Sequence, residues 1–173
     1  MSFSIELELQ RFPKVVQLKD GTKATLRQLR RDDEKEFHGL FLSIPEPERM
    51  FIKHRVAEIE TIRDWCRNID YGRNLPLVGL VGGKIAGDAT LHQQLGGWKR
   101  HVGRISVLVH PEFRGRGLAR ALINEIVEIA RQVGLETVSY THLDVYKRQG
   151  NSNDHAARHQ RRLAIGSQCA TKK

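Results

Sequence analysis

The 173 residues are enough for one domain with a substantial core, and 39% hydrophobic with 28% charged residues is the balance of an ordinary globular protein. No apolar run approaches the ~18 residues of a membrane span, residues 1–6 lack the basic-then-apolar order of a leader, and Cys66 and Cys169 make neither a disulfide framework nor a metal cluster; a reducing cytoplasm is the expected location. The net charge of +9 suits nucleic acid or an anionic cofactor, but residues 138–173 hold seven Lys/Arg against two acids, so +5 of it lies in the tail.

Residues 14–18 and 24–29 alternate apolar and polar around Asp20-Gly21 and predict a hairpin. Asp32 or Asp33 caps a helix reaching about Leu42, which Pro45 and Pro47 end. Helices are then expected over 48–59 and 62–69, with Arg49, Lys53, Arg55 and Arg63 either reading a substrate carboxylate or, the favoured reading, forming a solvated face. Residues 75–81 and 84–93 predict two strands joined at Gly82-Gly83. Residues 103–109 predict a fifth strand, apolar on both faces, that Pro111 stops. Leu118, Leu122, Ile126, Ile129 and Val133 form one face of a long helix, and Gly134 suits its C-terminal cap. A parallel strand over 135–139 completes a right-handed crossover.

Between that strand and that helix lies His110-Pro111-Glu112-Phe113-Arg114-Gly115-Arg116-Gly117-Leu118-Ala119-Arg120. A strand, a basic glycine-rich turn and a helix build an anion site. The N–H groups of a helix start lack intrahelical acceptors, and the helix dipole adds partial positive charge. No Lys-Ser/Thr follows the glycines, which excludes a P-loop, and no Gly-x-Gly-x-x-Gly opens a dinucleotide unit.

Arg114-x-x-Gly117-x-Ala119, preceded by Val107-Leu108-Val109-His110-Pro111, resembles motif A of the GNAT family of acetyl-CoA-dependent N-acetyltransferases. The resemblance covers roughly residues 21–137. It implies an α/β (α+β) fold: a mixed, mostly antiparallel central sheet flanked by helices, with a strand pair splayed at the motif strand. It implies that acetyl-CoA, as co-substrate, lies on Val107, Leu108 and Val109 and on Arg114, Gly115, Arg116, Gly117, Leu118, Ala119 and Arg120. A primary amine of a small molecule or a protein would attack the thioester directly. Dimers are common among such proteins, so a homodimer is an expectation too. Nucleic acid is disfavoured, since no aromatic interleaving, helix-turn-helix or zinc spacing accompanies the basic residues. No metal is expected.

The catalytic residues are not legible. Many relatives carry Glu on the motif strand, but no acid lies between Gly103 and Pro111. A water held by Ser106, or His92 or Asp88 on the preceding strand, is an available substitute; Tyr146 stands in the wrong context for the family's acid. A non-catalytic acyl-CoA-binding module, or an inactive truncated acetyltransferase, is the alternative function. After Ser139 the family pattern is lost, and residues 138–149 resemble an adapter-derived read-through of assembled sequences. The expected division is therefore an acetyltransferase domain over 1–137, lacking its last strands, and an atypical basic tail over 138–173, an assembly artefact or disordered, in which residues 151–173 show no strand alternation.

Overall fold

Asp20-Gly21 turns the chain as its composition requires: β1 (Lys14–Gln17) and β2 (Lys23–Gln28) pair antiparallel, Lys14 opposite Leu26. The computed structural model describes residues 5–50, 52, 55–94, 96–97, 101–142 and 160–164. A short α1 (Ile5–Leu9) precedes the hairpin. Then come α2 (Glu34–Ser43), α3 (Glu46–Arg49) and α4 (Ile59–Arg67). β3 (Asn74–Val81), β4 (Lys84–His92) and β5 (Val102–Val109) follow, then α5 (Leu118–Gln132), β6 (Thr137–His142) and β7 (Gln160–Ala164). Among the described residues, seven strands lie in one sheet in chain order, antiparallel throughout except for the β5–β6 pair. Mixed, mostly antiparallel and flanked by helices is thus the observed architecture. Among the described residues no helix is long and apolar enough to cross a membrane.

Each face of the sheet is covered. On one, α5 lays Leu118, Leu122, Ile126 and Ile129, all buried, against Leu75, Leu77, Ala89, Leu91, Ile105 and Val107. The other face carries Val78, Ile85 and Leu108 and is covered by Phe37, Leu40 and Phe41 of α2 and Ile62 and Cys66 of α4. α5 closes as its sequence predicts: Gly134 takes φ +83°, its N–H donates to Arg131, and the N–H of Leu135 donates to Ala130.

The start of α5 sits directly on the strands. A Cβ on Gly79 would lie 2.8 Å from Leu118 Cδ1, and one on Gly87 3.1 Å from Leu118 Cδ2. Gly79→Val is therefore expected to cost about 1–3 kcal/mol by overpacking and to displace the α5 start; urea unfolding and CoA titration of the variant check both.

Two expectations are corrected. Residues 48–59 are not one helix: α3 ends at Arg49, and α4 starts only at Ile59. Val56 is buried between them, and the carbonyl of Ala57 bonds to the His38 ring at 2.9 Å, so this backbone is satisfied outside a helix. Residues 151–173, read as lacking strand alternation, contribute β7, with Thr137 opposite Ala164. Main-chain pairing with the β6 edge supplies what side-chain alternation did not advertise. The pairs of β5 with β6 run from Val102↔Thr137 to Val107↔His142; residues 143–150, which would show the splay beyond Val107, lie outside the described residues.

Candidate active site

β5 leads straight into the basic turn. Pro111 opens a short 3-10 turn, Pro111–Phe113, and the His110 ring accepts from the N–H of Glu112 at 3.3 Å. The chain then passes Arg114 to Gly117, with Gly115 at φ +76° and Gly117 at φ +93°. Gly117 is the N-cap of α5, and its carbonyl accepts from the N–H of Ala121. The N–H groups of Leu118, Ala119 and Arg120 therefore have no acceptor inside the helix. Val107, Leu108 and Val109 are buried in the strand that ends at this turn. The strand–turn–helix unit thus brings Val107 to Val109 and Arg114 to Arg120 to one end of β5.

The two arginines are engaged differently from expectation. The Arg114 guanidinium forms a forked pair with Glu48 of α3, Nη2 to Oε2 at 2.8 Å and Nη1 to Oε1 at 3.4 Å, while its Nε donates to the Val109 carbonyl at 3.3 Å. Both partners are largely covered, 17% and 15% exposed. Arg114 therefore ties the basic turn to the helical segment on the other face. Arg116 pairs with Asp20 at 3.3 Å and lies over the Phe113 ring, 5.2 Å from its centre. Hydrogen bonds from the Thr22 N–H and hydroxyl, and then the Arg116 charge, hold the Asp20 carboxyl below its usual range.

Sequence reasoning missed the β1–β2 turn as part of this site. The Lys19 N–H donates to the Arg116 carbonyl at 2.9 Å. A Cβ built on Gly117 would lie 3.1 Å from Lys19 Cγ, so the Lys19 stem crosses the helix start. No local spacing links Lys19, Asp20 or Glu48 to the motif; only the fold does. Glu48→Gln is expected to tighten CoA binding a few-fold, since it removes an anion beside the turn and frees a fork suited to phosphate. Loss of the partly buried pair lowers stability by about 1 kcal/mol. Calorimetry with CoA and a thermal melt give the two readings.

A second polar group lies on the sheet face away from α5. Asp88 of β4 is opposite Leu108 in register and only 5% exposed. Burial pushes its carboxyl up to about 7, against the Thr90 hydroxyl, which donates to it at 3.1 Å. His92, further along β4, has Nε2 3.0 Å from Ser106 Oγ of β5 and Nδ1 2.7 Å from Asn74 Oδ1 at the start of β3. The three sequence candidates Asp88, His92 and Ser106 are thus on one face, with Asn74 as an unforeseen fourth member.

Cys66 is buried, and burial pushes its thiol up to about 11, which makes it no nucleophile at neutral pH. Arg55 extends into solvent beside Glu58, in line with a wet face, whereas Arg63 bridges to Glu34 of α2 at 3.4 Å. Lys53 and Tyr146 lie outside the described residues. Among the described residues no three His, Cys, Asp or Glu cluster as metal ligands.

Comparisons with known proteins bear on the family and the fold. A family profile described as Acetyltransferase (GNAT) family matches residues 26–152. The GNAT domain of S. lividans PAT superposes with a TM-score of 0.64 at 18% identity, covering 73% of this chain and 76% of that one. An N-acetyltransferase from Staphylococcus aureus Mu50 gives 0.59 at 18% identity, over 72% and 76%. Mycobacterium smegmatis RimJ, solved in complex with CoA-disulfide, gives 0.53 at 16% identity, over 75% and 68%. At these identities the structural likeness speaks for the fold.

Proposed function

The chain belongs to the GNAT acetyltransferase family, N-acetyltransferases that move an acyl group from an acyl-CoA, and from that premise we propose that its donor is acetyl-CoA and its acceptor a primary amine. The observation that carries this reading is the helix start at Gly117. Three N–H groups point out of α5 there, beneath a left-handed glycine, at the end of a strand whose last residues are Leu108 and Val109. The diphosphate of CoA fits those N–H groups, with Lys19 and Arg120 as nearby cations. The pantetheine arm fits the β5 backbone at Val107–Val109, and an N–H there polarises the thioester carbonyl as the amine attacks.

Calorimetric titration of acetyl-CoA, then of CoA, into the full chain tests the reading. Saturable one-site binding is expected, abolished by substitutions at the turn and followed by acetylation of an amine. A folded chain that does not bind would sink it. The alternative, an acyl-CoA-binding module without turnover, rests on the missing acid of the motif strand and predicts binding with no acetylated product. A cytoplasmic location and a homodimer belong to the same reading; light scattering at two protein concentrations checks the second. Residues 1–137 are assigned to the acetyltransferase domain and 138–173 to an attached tail. Since β6 begins at Thr137 and pairs with β7, this division concerns origin and not the sheet. Sequencing the coding DNA through codons 138–149 tests it.

A further inference from the structure

We propose that His92 is the base of the transfer reaction, reaching the incoming amine through the Ser106 hydroxyl, with Asn74 as the positioning residue that sets its tautomer. The inference rests on the acetyl-transfer reading and adds to it the group that handles the proton. An amide oxygen only accepts hydrogen bonds, so Asn74 Oδ1, 2.7 Å from Nδ1, requires the proton on Nδ1. In the neutral ring the lone pair is then on Nε2, which faces Ser106 Oγ at 3.0 Å. The hydroxyl donates to that lone pair, and its oxygen is left to accept a proton from a third group.

The location suits the role. Ser106 is one residue before Val107 on the strand that runs into the cofactor turn, and its side chain is on the face away from α5. Ser106 and His92 are both partly open to solvent. Thr90 stands directly opposite Ser106 in register, and its hydroxyl is occupied by Asp88 below. An ammonium acceptor must lose a proton before it can attack. Ser106 takes that proton while passing its own to Nε2 of His92. The nitrogen then bonds to the thioester carbon, the C–S bond breaks, and the second nitrogen proton goes to the departing thiolate. The products are the N-acetyl amine, CoA thiol and one proton, released from His92 to water.

The test uses the full chain and needs no knowledge of the natural acceptor. CoA-thiol release from acetyl-CoA is followed with water as the nucleophile and with hydroxylamine, an amine already unprotonated at pH 7, after subtraction of the uncatalysed rates. His92→Gln is expected to lower water-dependent release by about 10²-fold while leaving hydroxylamine-dependent release and the KM for acetyl-CoA nearly unchanged. Long-range ¹H–¹⁵N spectra should show the Nδ1–H tautomer of His92 in the wild type. That signature should be lost in Asn74→Ala, together with kcat but not KM. Equal loss with both nucleophiles, unchanged hydrolysis in His92→Gln, or an Nε2–H tautomer would overturn the assignment. So would an acetylated Ser106 found by mass spectrometry, which would make Ser106 a nucleophile. If acetyl-CoA does not bind the wild type, the acetyl-transfer reading fails; if it binds and His92→Gln is silent, only the base assignment fails.

Discussion

Gly117→Val is expected to weaken CoA binding by at least about 100-fold, equivalent to ~2.7 kcal/mol, while leaving the chain folded. Two effects act together. At φ +93° a residue with a Cβ carries ~1–2 kcal/mol of backbone strain, and a β-branched one more. The new Cβ would also lie 3.1 Å from Lys19 Cγ, so the valine methyls push against the stem that crosses the helix start. Relief of either strain rotates the first turn of α5, and its free N–H groups lose their common aim. Gly117→Ala keeps the strain without the methyls and should fall between valine and wild type. The control is Gly82→Ala in the β3–β4 turn. It has φ +58° and open space around its Cβ, so it meets the same kind of strain far from the site. Calorimetry with CoA should separate the two substitutions although both lower the melting temperature. A Gly117→Val chain that binds CoA like wild type would remove the helix start from the site.

What could be read in the sequence was whatever is local. The α5 face follows from spacing alone, and Leu118, Leu122, Ile126 and Ile129 are buried as that spacing requires. Gly82-Gly83 made a hairpin legible because both turn residues adopt positive φ. The basic turn was legible for the same reason, as a strand, two glycines and a helix in succession. Its wiring was not. Glu48 is 66 positions from Arg114, and Lys19 and Asp20 reach Arg116 only because β2 pairs with β3 and carries the hairpin to the end of the sheet. The charges of Arg114 and Arg116 looked free for phosphate, whereas folding gives each an internal carboxylate. Asp88 was misleading in another way. In Gly-Asp-Ala-Thr an acid at an alternate strand position ordinarily faces water, but helices cover both faces of this sheet.

That buried carboxylate sets the second large expectation: Asp88→Asn should change how stability depends on pH more than any surface substitution. Asp88 rises from 3.8 to about 7 in the folded chain because burial disfavours its charge, the Thr90 hydroxyl giving only partial relief. Between about pH 4 and 7 the folded chain therefore keeps a proton that the unfolded chain has released. Fewer protons bound in the unfolded state means that stability falls as pH rises through this window and levels off above it. Asparagine cannot ionise, so the variant lacks this fall. At ~1.4 kcal/mol per pH unit, the stability of Asp88→Asn relative to wild type should improve by about 2–3 kcal/mol between pH 5 and pH 8. The new amide has more donors than Thr90 can accept, which costs ~1 kcal/mol or more at every pH but does not alter the difference. Urea unfolding of both proteins at the two pH values measures it, and parallel curves would show that Asp88 is not protonated in the fold. The same variant also tests function. Asp88 lies below Thr90 on the face that holds Ser106 and His92, and an uncompensated acid in a sheet core is a cost that a structural position has no reason to keep. Stability gained together with lost turnover would bring Asp88 into the reaction; stability gained with turnover intact would leave proton transfer to His92 alone.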